Sequence, residues 1–241
     1  MGFAANHYEQ SSTWNEILSQ GTVWQSVLSQ LDGENTAEKI LGDNSRGASW
    51  LFVGCGTSFY LAQAAASSWT TTTGESARAV PASEILLYTK LLKMNGFPSR
   101  AVVISRSGRT SEAIRAAQVL TRDLRIRTIG ITCAENSELA AHCDAMMVVN
   151  AADEKSTVMT RSFTSMLISL QYLAARQAGD AKFLADLTAM ARSFPSRIAS
   201  IAKHMESFVA HHSFDDYVFL GQGPFYGLAQ EAALKVMEMS C

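Results

Sequence analysis

The stretch Ala101-Val102-Val103-Ile104-Ser105-Arg106-Ser107-Gly108-Arg109-Thr110-Ser111-Glu112 decides the fold. It opens on four apolar residues, three of them β-branched, which read as a short buried strand. Ser, Gly and Thr then mark a turn, and from Thr110 to Leu120 apolar residues return at helical spacing. A strand that is apolar at every position, not at alternate ones, is covered on both faces, as strands of parallel sheets are.

The same strand–turn–helix unit recurs on either side. Leu51-Phe52-Val53 is a strand ending at Gly54, and Ser58 to Thr70 is Ala-rich and helical. Ala77–Val80 is a second strand, and Pro81-Ala82-Ser83-Glu84 opens a short helix. Thr128–Thr132 and Met146–Val149 are strands, with a short helix at Ser137–Ala141 between them. This alternation predicts an α/β three-layer sandwich around a parallel sheet. Upstream, Trp14, Ile17, Leu18, Val23, Trp24, Val27, Leu28 and Leu31 follow a 3.6-residue period, so residues 11–31 form an amphipathic helix. Downstream, 160–178 and 181–210 read as two long helices, Tyr217-Val218-Phe219-Leu220-Gly221 as a returning strand, and the rest as a helix. The chain thus divides into a helical segment (1–34), an α/β domain (35–180), a connecting helix (181–216) and the start of a second α/β domain (217–241).

A faint internal repeat supports that last division. Trp50-Leu51-Phe52-Val53-Gly54-Cys55-Gly56 followed by Phe59-Tyr60-Leu61-Ala62-Gln63 parallels Tyr217-Val218-Phe219-Leu220-Gly221-Gln222-Gly223 followed by Phe225-Tyr226-Gly227-Leu228-Ala229-Gln230. Each copy is a strand, a G-x-G turn and a helix. One strand and one helix cannot make a sheet, so the second domain is expected to be truncated.

Composition narrows the function. Of 241 residues 47% are hydrophobic and 17% charged, and the net charge of −2 argues against a nucleic-acid partner. Cys55, Cys133, Cys143 and Cys241 form no C-x-x-C pair and read as reduced thiols of a cytoplasmic protein. Met1–Gln10 has neither the basic flank nor the apolar run of a signal peptide. No stretch nears the roughly 18 apolar residues of a membrane span. His7, His142 and His204 have no metal-ligand spacing, and His211-His212 stands at a helix end, so no metal is expected. A G-x-S-x-G nucleophile elbow is absent, and Gly54-Cys55-Gly56-Thr57-Ser58 is neither a dinucleotide fingerprint nor a P-loop.

Three features remain that carry chemistry. Ser105–Thr110 joins a strand end to a helix start, where free N–H groups, the helix dipole and hydroxyl donors together suit a phosphate. The same residues also serve as an ordinary N-cap and turn. Cys55-Gly56-Thr57-Ser58 is a second such turn, and two on neighbouring strands favour a shared pocket. Glu231, Lys235 and Glu238 lie at i, i+4 and i+7 and so share one helix face, either as a solvated ion pair or, given the apolar surroundings, as a buried and functional group.

G-C-G-T-S after one strand, S-x-S-G-x-T after another, and a later G-x-G with E-x-x-L-K-x-x-E resemble the SIS (sugar isomerase) family over roughly residues 35–241. The pattern is similar to the isomerase half of glucosamine-6-phosphate synthase and to the tagatose-6-phosphate ketose/aldose isomerase type, which includes amino-sugar-phosphate deaminases. The resemblance implies a flavodoxin-like, nucleotide-binding-type fold and an enzyme that isomerises or deaminates a hexose or hexosamine 6-phosphate with no cofactor. It implies that Cys55, Gly56, Thr57 and Ser58 form the first substrate loop. Ser105, Arg106, Ser107 and Thr110 would cradle the phosphate, and Thr157 to Thr164, with Thr157 and Met159 foremost, would close over the sugar. Glu238 matches the base that moves a proton between C1 and C2, with Lys235 beside it and Glu231 as a supporting carboxylate. The family's ring-opening histidine would lie beyond Cys241, and the synthase's glutaminase domain has no counterpart here. A homodimer is also implied. A non-catalytic sugar-phosphate-binding regulator and an aminotransferase-type protein lacking the glutaminase domain remain alternatives.

Overall fold

A computed structural model describes residues 11–33, 36–43, 45–94 and 98–240. Met1–Gln10 and Cys241, both used in the sequence reading, lie outside the described residues. In chain order the elements are α1 (Ser12–Leu18), α2 (Gln20–Leu31), α3 (Thr36–Leu41), β1 (Trp50–Gly54), α4 (Thr57–Thr73), β2 (Ala77–Pro81), α5 (Ala82–Leu87) and α6 (Thr89–Met94). There follow β3 (Arg100–Ile104), α7 (Ser111–Gln118), β4 (Arg127–Thr132), β5 (Ala145–Val148), α8 (Arg161–Ala178), α9 (Ala181–His211) and α10 (Pro224–Met239).

The five strands form one parallel sheet in the order β2-β1-β3-β4-β5. Alternate side chains feed two separate cores. Trp50, Phe52, Val102, Ile104, Ile129 and Ile131 meet α2, α4, α8 and α9 on one face. Leu51, Val53, Ala101 and Val103 meet α5, α6 and α7 on the other. Every residue of β1 is buried, which is why its sequence shows no polar alternation.

The order 2-1-3-4-5 places the reversal of winding between β1 and β3. The chain leaves β1 toward α4 on one face and leaves β3 toward α7 on the other. The two loops part there and open a crevice at the carboxyl ends of the strands.

At the opposite end of the sheet Glu75 ties the layers together. Its carboxylate accepts from two buried indoles, Trp50 Nε1 (2.8 Å) and Trp69 Nε1 (3.2 Å), and from Gly47 N (2.7 Å) and Gln177 Nε2 (2.9 Å).

Three sequence expectations change. The single helix over 11–31 is two, because Ser19 ends α1 and begins α2. The helix begun at Thr110 passes after Gln118 into a π-helical turn, Val119–Asp123. The expected strand Tyr217–Gly221 does not form: no strand pairs with it among the described residues, and Val218 and Leu220 are 79% and 90% exposed. A strand exists through its neighbour, and an apolar run without one is only extended chain.

The repeat does persist in the turns. Gly56 and Gly223 share one left-handed geometry, φ 52°, ψ −128° and φ 56°, ψ −128°. A Cβ on Gly54 would lie 2.2 Å from the Ser58 carbonyl oxygen, and one on Gly221 would lie 2.1 Å from that of Phe225. Both turns therefore need both glycines. The helices that follow, α4 and α10, cross closely at Gly227, where a Cβ would meet Tyr60 O at 2.3 Å and Ala64 N at 2.8 Å.

Candidate functional site

A cleft of about 200 Å³ opens at the β1/β3 crevice. Four separated stretches line it: Cys55, Thr57 and Ser58; Arg106, Ser107 and Thr110; Thr157, Val158 and Met159; and Lys235 with Glu238. Three predicted residues stand behind these walls. Gly56 shapes the first turn. Ser105 is buried under the second, its hydroxyl 3.1 Å from that of Thr110. Glu231 is buried behind Lys235.

The second turn is pinned from below. The Gly108 amide donates to Ser105 O (3.1 Å), Leu139 N donates to Gly108 O (3.0 Å), and Cys133 N donates to Arg106 O (2.9 Å). Gly108 has φ 61°, and a Cβ there would lie 2.2 Å from Ser137 Cβ, so the turn packs against the next loop without room for a side chain. Arg109, although part of the motif, is exposed and does not line the cleft. Arg106 instead reaches across it, donating from Nη1 to the carbonyls of Ser156 (3.2 Å) and Thr157 (3.1 Å). Glu154 lies 4.0 Å from the same nitrogen and accepts from Thr160 N (2.8 Å) at the start of α8.

The third predicted group reaches the cleft from α10. Lys235 Nζ donates to Thr57 Oγ1 (3.2 Å), lies 3.1 Å from Glu231 Oε1, and pairs with Glu238 Oε2. Thr57 Oγ1 in turn donates to Glu231 Oε1 (3.2 Å). The first residue of α4 thereby joins two successive turns of α10. Burial pushes the Glu231 carboxyl above the usual range, against the pull of Lys235 and the Thr57 hydroxyl. Its Oε2 is buried with no hydrogen-bond partner among the described residues. Glu238 is the more exposed carboxylate, with 37% of its side chain accessible against 8% for Glu231. One lysine therefore faces two unlike carboxylates, one solvated at the cleft and one buried behind it. Burial also pushes the Cys55 thiol up to about 11, with Glu112 adding to the effect, so it sits in the cleft as a neutral group.

Sequence reasoning missed Glu154, Glu16 and Gly227. The two carboxylates look like surface residues until the fold brings the loop at 153–160 against α1 and the second turn. Gly227 carried a usable signal, a glycine inside an otherwise apolar helix.

A larger groove of about 590 Å³ between α2, α8 and α9 contains none of the predicted residues. Two of its polar groups are already engaged: Tyr172 donates to Asp32 (3.0 Å) and Gln25 to the carbonyls of Gly21 and Ala191. Among the described residues no group of three His, Cys, Asp or Glu side chains could hold a metal ion, and no helix is long and apolar enough to cross a membrane.

Comparison with known proteins agrees with this geometry. The chain is 30% identical over 247 aligned positions to glutamine--fructose-6-phosphate aminotransferase [isomerizing] of Shewanella oneidensis, covering 97% of this chain and 38% of that protein. It is 24% identical to D-galactosamine-6-phosphate deaminase AgaS of Escherichia coli O157:H7, covering 95% and 62%. The chain thus spans less than two thirds of either relative's length. The crystal structure of glucosamine-6-phosphate deaminase from Thermotoga maritima superposes with a TM-score of 0.76 at 31% identity, covering 95% of this chain and 67% of that one. The family model described as SIS domain matches residues 46–176, more than half of the chain and the whole of the five-stranded sheet. The chain belongs to the SIS domain family.

Proposed function

We propose that this chain carries the substrate cleft and proton-transfer group of an isomerase or deaminase acting on a hexose or hexosamine 6-phosphate. One observation carries the reading: Lys235 and Glu238 open into the same small cleft as Ser107, Thr110 and Thr57. A phosphate at the second turn, held by hydroxyls and the start of α7, leaves the other end of an open-chain sugar toward Glu238. Aldose–ketose interconversion needs one base there. The Glu238 carboxylate takes the C2 proton, and the resulting enediol or enolamine receives it at C1. Lys235 pairs with Glu238 and directs it, and the buried Glu231 holds the lysine from the other side. With a 2-amino sugar the product is a ketimine at C2. Water adds to that carbon, the C–N bond breaks, and ammonia leaves with a proton, giving the ketose phosphate.

The sequence and structural relatives support this substrate class. A homodimer, which rests on the family resemblance, and a cytoplasmic setting, which rests on the cysteine pattern, belong to the same proposal. The experiment is Glu238→Gln in the full-length protein, assayed for ammonia release from glucosamine 6-phosphate and galactosamine 6-phosphate. Turnover should fall at least about a thousandfold while calorimetric binding survives. Retained turnover refutes the role of Glu238. Binding of a sugar phosphate by the unaltered protein with no turnover would favour a regulatory module instead.

A further inference from the structure

Glu16 of α1 is 4% exposed, and among the described residues no ion pair includes it. A buried carboxylate without a cation is held by hydrogen bonds or not at all. Here all of them come from one loop. Oε1 accepts from Lys155 N (2.6 Å), Oε2 accepts from Ser156 N (3.4 Å), and the Ser156 hydroxyl pairs with Oε2. That hydroxyl also stands 3.0 Å from the carbonyl of Val158. The residues so gripped lead directly into Thr157–Met159, which wall the cleft. The Ser156 and Thr157 carbonyls, fixed by the same grip, are the acceptors of Arg106 in the second turn. A continuous set of contacts therefore runs from α1 through residues 155–157 to the phosphate turn. Its origin lies outside the matched SIS segment, 46–176.

We infer that Glu16 is a positioning residue of the cleft, fixing the Thr157–Met159 wall and the Arg106 side chain through the backbone of residues 155 and 156. The grip itself stands on the hydrogen bonds, and its effect on ligand rests on the sugar-phosphate reading above. Glu16→Gln keeps the shape but turns an NH2 group toward a cluster of donors. In the full-length protein, amide hydrogen exchange at Lys155 and Ser156 should quicken at least about tenfold, with β1 and β3 unchanged. Calorimetric binding of glucosamine 6-phosphate should weaken about tenfold, and KM should rise more than kcat falls. Unchanged exchange at 155–156 overturns the grip, and faster exchange with unchanged binding overturns its positioning role. Exchange that quickens equally across the sheet would mean a general structural role and also overturns the inference. If the unaltered protein binds no sugar phosphate, the functional reading fails and the exchange measurement alone decides the grip. Should Glu16→Gln not fold, Ser156→Ala decides, with the same direction expected at smaller size and no change overturning the inference.

Discussion

Replacing Gly227 by alanine should separate two helices at the point that sets the proposed acid–base geometry. The new Cβ would lie 2.3 Å from Tyr60 O and 2.8 Å from Ala64 N, both backbone atoms of α4 that cannot rotate away. Restoring ordinary contact requires α10 to retreat by about 1 Å. The bonds from α10 to Thr57 already measure 3.2 Å at both Glu231 and Lys235, so a retreat of that size takes them out of hydrogen-bonding range. Two stability effects oppose each other. Alanine gains about 1 kcal/mol of helix propensity over glycine, and overpacking costs about 1–3 kcal/mol. The balance is a small loss of stability, whereas a misplacement of about 1 Å at a reacting centre costs about a hundredfold in rate. Thermal melting beside ammonia release from glucosamine 6-phosphate separates the two: a Tm change of a few degrees with a rate loss near a hundredfold. A Gly227→Ala protein that melts higher and turns over within twofold of the original would refute the claim that this crossing positions Lys235 and Glu238.

Glu75→Ala leaves two buried indole N–H groups unpaired at the end of the sheet remote from the cleft, and should cost about 2–5 kcal/mol, read from the urea midpoint, with sugar-phosphate affinity retained. The Cys55 thiol, pushed up to about 11, should react with iodoacetamide at pH 8 about a hundredfold more slowly than a thiol of ordinary pKa, as followed by mass spectrometry. The sign for stability follows: the folded state holds this proton more tightly, so the contribution is whole below pH 9 and is lost as pH rises through 11. Gly108→Ala, with φ 61° and Ser137 Cβ 2.2 Å away, should weaken phosphate-ester binding at least about tenfold by calorimetry. Gly47→Ala, with φ 73° and nothing within 4 Å, carries similar backbone strain away from the cleft and should leave binding unchanged.

The sheet was legible because both of its faces are covered. Unbroken apolar runs such as Ala101–Ile104 have few other uses, and the glycine and hydroxyl residues after them mark the turns. Tyr217–Gly221 shows the limit of that signal. Its composition matches a strand, but pairing depends on a neighbour that no local pattern reveals. At the cleft, spacing put Glu231, Lys235 and Glu238 on one face, and order along the chain matched them to the two turns. Sequence could not reveal that Thr57 would bond both Glu231 and Lys235, 174 and 178 positions away. Nor could it separate Glu16 from the other polar residues of an amphipathic helix, because two of its contacts are backbone amides whose own residue types are immaterial and the third is a hydroxyl 140 positions away.

The cleft's four walls are spread along the chain from Cys55 to Glu238. Ribosomal synthesis delivers them in that order. A nascent chain exposed as far as residue 200 already has all five strands and both covering layers, so it can collapse and begin to hold its shape. It has the Ser105–Thr110 turn too, and lacks Lys235 and Glu238. The fourth wall arrives with α10, the last described element, when Gly227 seats against α4. On the proposed reading, a growing chain would thus have the turn that holds a phosphate ester before it had the wall that carries Glu238.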